Sequence, residues 1–173
     1  MPEPSGSAIV HLDPGQWKKL KDRKITFSAV APATLETGLA EPGMRLVSGV
    51  GVLDLTGRGR LGFKGGFRLQ DTAGAFVEVT DPSGMLPRGS ATCLVRTSAD
   101  GGGTRMELFD YSLDVTKIHV SPLSAAFGID EAVAKVNPVL AKVLTDLFGE
   151  GAGTAGTTFA QGSVDFGFMG ATP

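Results

Sequence analysis

The chain has 173 residues, enough for one domain that buries roughly 70% of the surface its unfolded form would expose, so a core can form without metals or disulfides. Apolar residues make up 42% and charged residues 20%, which excludes a disordered chain; 16 basic against 18 acidic residues leave a formal charge of −2 and no global field to recruit nucleic acid or an anionic membrane. The 25 glycines follow no collagen period and read as the turns of a protein with many short strands.

Residues 1–7 (MPEPSGS) read as a flexible leader without the hydrophobic core of an export signal, ahead of one β-rich domain over 8–169 and a short tail over 170–173. No window reaches the ~18 consecutive apolar residues of a transmembrane helix. Ala8 to Leu12 reads as a strand. Asp13-Pro14-Gly15 then caps a short helix carrying Trp17 and Leu20. Ile25, Phe27 and Ala29 alternate with polar residues as a second strand, and Met44 to Thr56 forms a longer one whose Gly49 and Gly51 mark a bulge or a close sheet contact. From Gly57 to Leu69 the period is two, with Leu61, Phe63, Phe67 and Leu69 on one face and Arg58, Arg60, Lys64 and Arg68 on the other.

Further strands are expected at Ala75 to Val79, Ser90 to Ser98 and Thr104 to Leu113, separated by turns at Asp81-Pro82-Ser83-Gly84 and Asp100-Gly101-Gly102-Gly103, with Val115 to Val120 continuing or following the last. Val133, Val136, Leu140, Val143, Leu144 and Leu147 recur at helical spacing, and Pro138 divides that run. Asn137 as cap and Pro138 at the first helical position define a helix over Asn137 to Phe148 that ends at Gly149; the residues from Asp130 to it read as a short helical turn. A strand near Ser163 to Phe168 closes the chain. The fold class expected is mainly β, an antiparallel sandwich or barrel with one C-terminal α-helix and a short N-terminal helix.

Gly57-Arg58-Gly59-Arg60-Leu61-Gly62 matches a dinucleotide fingerprint in letters only, because strand period continues after it and no helix follows to receive a pyrophosphate. No Walker loop, H-E-x-x-H, C-x-x-C or G-x-S-x-G occurs. The basic residues Arg58, Arg60, Lys64 and Arg68 are candidates for binding an anionic group, against the plainer reading of a solvated sheet face. Tyr111, His119 and Glu107, with Asp110 and Asp114 nearby, are the catalytic-looking residues; period two puts Glu107, Tyr111 and His119 on one face. A polar outer face explains the same residues. Cys93, in an alternating run, reads as a buried inert thiol, and two histidines, His11 and His119, give a metal site little to work with.

Ile9-Val10-His11-Leu12-Asp13-Pro14, Gly62-Phe63-Lys64-Gly65-Gly66-Phe67, Val77-Glu78-Val79-Thr80-Asp81-Pro82, Val143 to Gly149 and Phe159-Ala160-Gln161-Gly162-Ser163 resemble, in order and spacing, the β-rich repeat domains of secreted actinobacterial proteins related to HtaA-type haem-binding domains. The resemblance spans residues 8 to 168 and implies a secreted or cell-surface location; without it the cytoplasm is expected. It also implies haem held by a tyrosine early in the domain and a histidine ahead of a glycine-containing strand. This sequence departs at both: its sole tyrosine, Tyr111, comes late, and Phe63-Lys64 stands where the histidine is looked for. The expectation is therefore no haem and no metal. The function expected is a non-enzymatic β domain that binds a small hydrophobic ligand or a protein; the alternative is a small β-barrel cyclase or isomerase shaping a hydrophobic, polyketide-like substrate, which needs no motif because it works by holding a reactive conformer. A lined apolar cavity with Tyr111 or His119 pointing inward favours the enzyme, and a filled core favours the binding domain.

Overall fold

The computed structural model describes residues 5–54, 56, 58–121 and 126–167. The strands in chain order are β1 (Ser5–Leu12), β2 (Thr26–Val30), β3 (Thr34–Glu36), β4 (Gly43–Leu53), β5 (Gly59–Lys64), β6 (Gly66–Gln70), β7 (Phe76–Leu86), β8 (Arg88–Thr97), β9 (Thr104–Ser112), β10 (Ile118–Ser121), β11 (Ala126–Val136) and β12 (Thr158–Gly167). Among the described residues two α-helices accompany them, α1 (Pro14–Asp22) and α2 (Pro138–Phe148), with a single 3₁₀ turn at Val115–Lys117. Eight strands close an antiparallel ring in the order β1, β4, β5, β7, β8, β9, β11, β12 and back to β1. The fold is thus a barrel and not a sandwich. β3 and β10 lie against β4 and β11, while β6 and β2 extend the sheet from the first half of β7.

The basic run that reads as one strand is split by Gly65, whose φ of +88° only glycine adopts cheaply. A side chain there would also run into the backbone of Ala33. Its amide donates to Asp81 Oδ1 at 3.0 Å, and the Asp81 amide returns a bond to the Gly65 carbonyl at 3.0 Å. Here the sheet forks: β6 pairs with residues 76–80 of β7, and β5 with residues 83–86. Asp81 to Gly84, expected as a turn, are strand residues on both sides of that fork. The expected helical turn before Asn137 is likewise strand. Val133 and Val136, spaced by three as in a helix, lie on opposite faces of β11, Val133 exposed and Val136 buried.

Both helices start as their caps dictate. Asp13 Oδ2 accepts from the amides of Gly15 and Gln16 at 3.0 and 3.2 Å, and Asn137 Oδ1 accepts from Leu140 at 3.0 Å. Asn137 also donates through Nδ2 to the Glu107 carbonyl at 2.7 Å, which fixes α2 to β9 at one end of the barrel. Leu140 and Leu144 of α2 are buried, while Val143 and Leu147 pack half-exposed against the same core. Among the described residues no helix is long and apolar enough to cross a membrane.

Candidate ligand-binding site

Aromatic rings occupy the two ends of the barrel interior. Toward α2, Phe159 packs against Phe67 and Phe109 with centroids 5.7 and 5.1 Å apart. At the opposite end, Phe166 stacks on Phe127 at 4.5 Å and meets Phe63 at 5.6 Å. Gly6 and Gly49 make room for Phe166, since a Cβ on either would strike its ring, and a Cβ on Gly51 would strike Leu61.

Between these ends the inward positions are small. Ala91 on β8, Ala132 and Ala134 on β11, and Ala160 and Gly162 on β12 stand where bulky side chains would fill an eight-stranded barrel. Two adjoining apolar cavities result, of about 170 and 180 Å³, sharing Val10, Pro82, Ala91, Tyr111, Ala134 and Ala160 in their walls. The first is bounded toward the end opposite α2 by Leu61, Leu86 and Leu113; the second runs down to Phe67, Phe109 and Phe159.

Tyr111 reaches these cavities because of a bulge. Ala91 pairs with Phe109 but Thr92 pairs with Glu107, which leaves Leu108 as the extra residue of β9. Phe109 and Tyr111 therefore face inward while Glu107 faces water, correcting the single face expected from period two. The Tyr111 hydroxyl donates to the Met85 carbonyl beside Gly84, where any side chain would collide with it. Burial pushes the phenol up to about 12. Cys93 in the wall of the second cavity is fully buried, and burial pushes its thiol up to about 12 as well, the condition of an inert thiol.

The other residues singled out in the sequence lie elsewhere. His119 on β10 pairs its Nε2 with Asp130 Oδ2 at 2.5 Å on the outer surface, with both side chains more than 60% exposed. Asp110 accepts from Ser90 Oγ at 2.6 Å outside the barrel, and the Asp114 carboxyl is held below its usual range by hydrogen bonds from Thr116. Half-buried His11 lines a shallow outer groove with Leu39 and Gln161. Arg68 is bound to Glu78 at 2.9 Å and covers the Phe76 ring, and Lys64 reaches Asp81 at 3.7 Å. Arg60 sits on the outer face between Val52 and Met85, its cross-strand partners. Arg58 lies apart at the end opposite α2, in a surface depression with Arg88, Asp54 and Leu113. Arg88 and the inward alanines have no signal in the sequence until the register is known.

A closed antiparallel barrel with an apolar interior, left hollow by small residues at mid-height, defines the class. The chain has the fold of the HtaA domains of Corynebacterium glutamicum. The C-terminal domain of HtaA superposes with a TM-score of 0.70 over 98% of this chain and 100% of that one at 12% identity, and the N-terminal domain with 0.62 over 98% and 99% at 13%. HtaB of the same organism, described as a haem-binding protein, gives 0.57 over 98% and 96% at 11% identity. No family model and no curated protein matches the sequence.

Proposed function

We propose that the protein is a non-enzymatic binding domain that holds a small apolar ligand inside its barrel. The observation that carries this reading is the pair of cavities walled by Ala91, Ala134 and Ala160. A void of that kind forfeits packing and is normally filled unless something occupies it. That the fold is shared with a described haem-binding protein supports ligand binding as the class of function.

The residues here do not fit haem in the interior. The Tyr111 hydroxyl donates its hydrogen bond to the Met85 carbonyl and resists ionisation, His11 and His119 lie outside, and Lys64 is turned toward Asp81. Haem titration should therefore give no Soret shift that Tyr111→Phe abolishes.

The enzyme reading draws support from Tyr111, which does face the cavity. Against it, among the described residues no carboxylate, histidine or lysine lines either cavity to act with the phenol, and a phenol near 12 is poorly matched to proton transfer at neutral pH. Calorimetric titration with decan-1-ol tests the binding reading. Saturation at one equivalent is expected, abolished by Ala160→Leu and by Ala134→Leu. Both variants should keep or raise the melting temperature, since filling a cavity commonly adds about 0.5–2 kcal/mol. Binding that survives both substitutions would place the ligand elsewhere and overturn the reading.

A further inference from the structure

Among the described residues no charged side chain lines either cavity, but the barrel end opposite α2 carries two. The β4–β5 hairpin and the β7–β8 turn lie at the same end of the barrel, because Gly59 pairs with Leu86 across β5 and β7. Arg58 comes from the first and Arg88 from the second, and both line one depression of about 650 Å³. Leu113 belongs to the wall of this depression and of the first apolar cavity. Leu86, which bounds that cavity, is two residues before Arg88.

Among the described residues neither guanidinium takes part in an ion pair, whereas Arg45, Arg68 and Arg96 each hold a glutamate. Asp54 shares the depression, but its Oδ1 is engaged by the Thr56 amide, the Thr56 hydroxyl and the Arg58 amide at 2.8, 2.5 and 3.1 Å. Two cations thus share the depression with one carboxylate, which leaves it with an excess of positive charge beside an apolar interior.

We infer that the ligand is an amphipathic carboxylate whose apolar chain enters the barrel past Leu113 while its head stays at the mouth on Arg58 and Arg88. This rests on the interior-binding reading above and adds the chemical class of the ligand. A carboxylate cannot follow its chain inward, because a charge in an apolar cavity without a partner is strongly disfavoured. At the mouth it meets guanidinium groups, whose planar forks match its two oxygens.

The test compares decanoate with decan-1-ol by calorimetry, both below the concentration at which they self-associate. Decanoate should bind at least tenfold more tightly. The double variant Arg58→Gln/Arg88→Gln should bring decanoate to the level of the alcohol and leave the alcohol unchanged, with its melting temperature preserved because both side chains are exposed. Raising salt should weaken decanoate alone. Equal affinity of the two probes for the wild type, or a preference that persists in the double variant, overturns the carboxylate assignment and leaves the apolar site standing. Failure of both probes to bind the wild type overturns both.

Discussion

Tyr111 and Gly84 form a pair that can be read as a unit. The hydroxyl occupies the space a Cβ on residue 84 would need, so Gly84→Ala must push the ring away from the Met85 carbonyl. Overpacking of this kind typically costs about 1–3 kcal/mol. Tyr111→Phe removes the colliding oxygen, so in a double-mutant cycle read by chemical denaturation it should recover most of the loss that Gly84→Ala causes. Additive losses would show that the hydroxyl is not the obstacle. The phenol also makes stability depend on alkaline pH. Its folded value near 12 stands above the ordinary value of about 10, so above pH 10 the folded state holds a proton that the unfolded state releases. Stability is therefore complete below pH 10 and falls as pH rises toward 12. Denaturation midpoints in that range should fall less in Tyr111→Phe than in the wild type.

At the scale of elements, α2 contributes through two leucines. Leu140 and Leu144 are 1% and 0% exposed, and a helix of this length is marginal alone, so it depends on this contact. Leu144→Ala should cost about 2–5 kcal/mol. Lys142, which only reaches Asp146 along the exposed face, should be replaceable by alanine with little effect. Equal small effects in urea denaturation would mean the leucine face is not buried in the core. Both helices were legible in the sequence because capping is a local signal, written in Asp13-Pro14 and Asn137-Pro138. The strands were legible where they alternate without interruption, as from Ser90 to Thr97. They were not legible at the bulge in β9, which puts Glu107 and Tyr111 on opposite faces, nor in β11, where Val133 and Val136 keep a helical spacing while pointing to opposite sides. A bulge is set by the partner strand, and the sequence of one strand does not carry it.

The whole molecule explains why the candidate site was the least readable part. Its walls come from β1, β4, β5, β6, β7, β8, β9, β11 and β12, and the room inside is left by alanines and glycines, the residues with the least to say individually. Tyr111 was visible as a residue but not as a cavity residue, and Arg58 was visible without Arg88, thirty positions on. Only closure of the ring brings them into one place. That closure is made by β1 against β12, where Ser5 and Gly167 are direct partners across the ladder. The covalent order of the strands is then separable from their spatial order. A circularly permuted chain, with a short linker from Gly167 to Ser5 and new termini opened in the exposed turn at Gly101-Gly102, has the same ring of neighbours available to it. It should fold to a barrel with the parent's circular dichroism and affinity for the apolar probe, with folding kinetics as the property that changes.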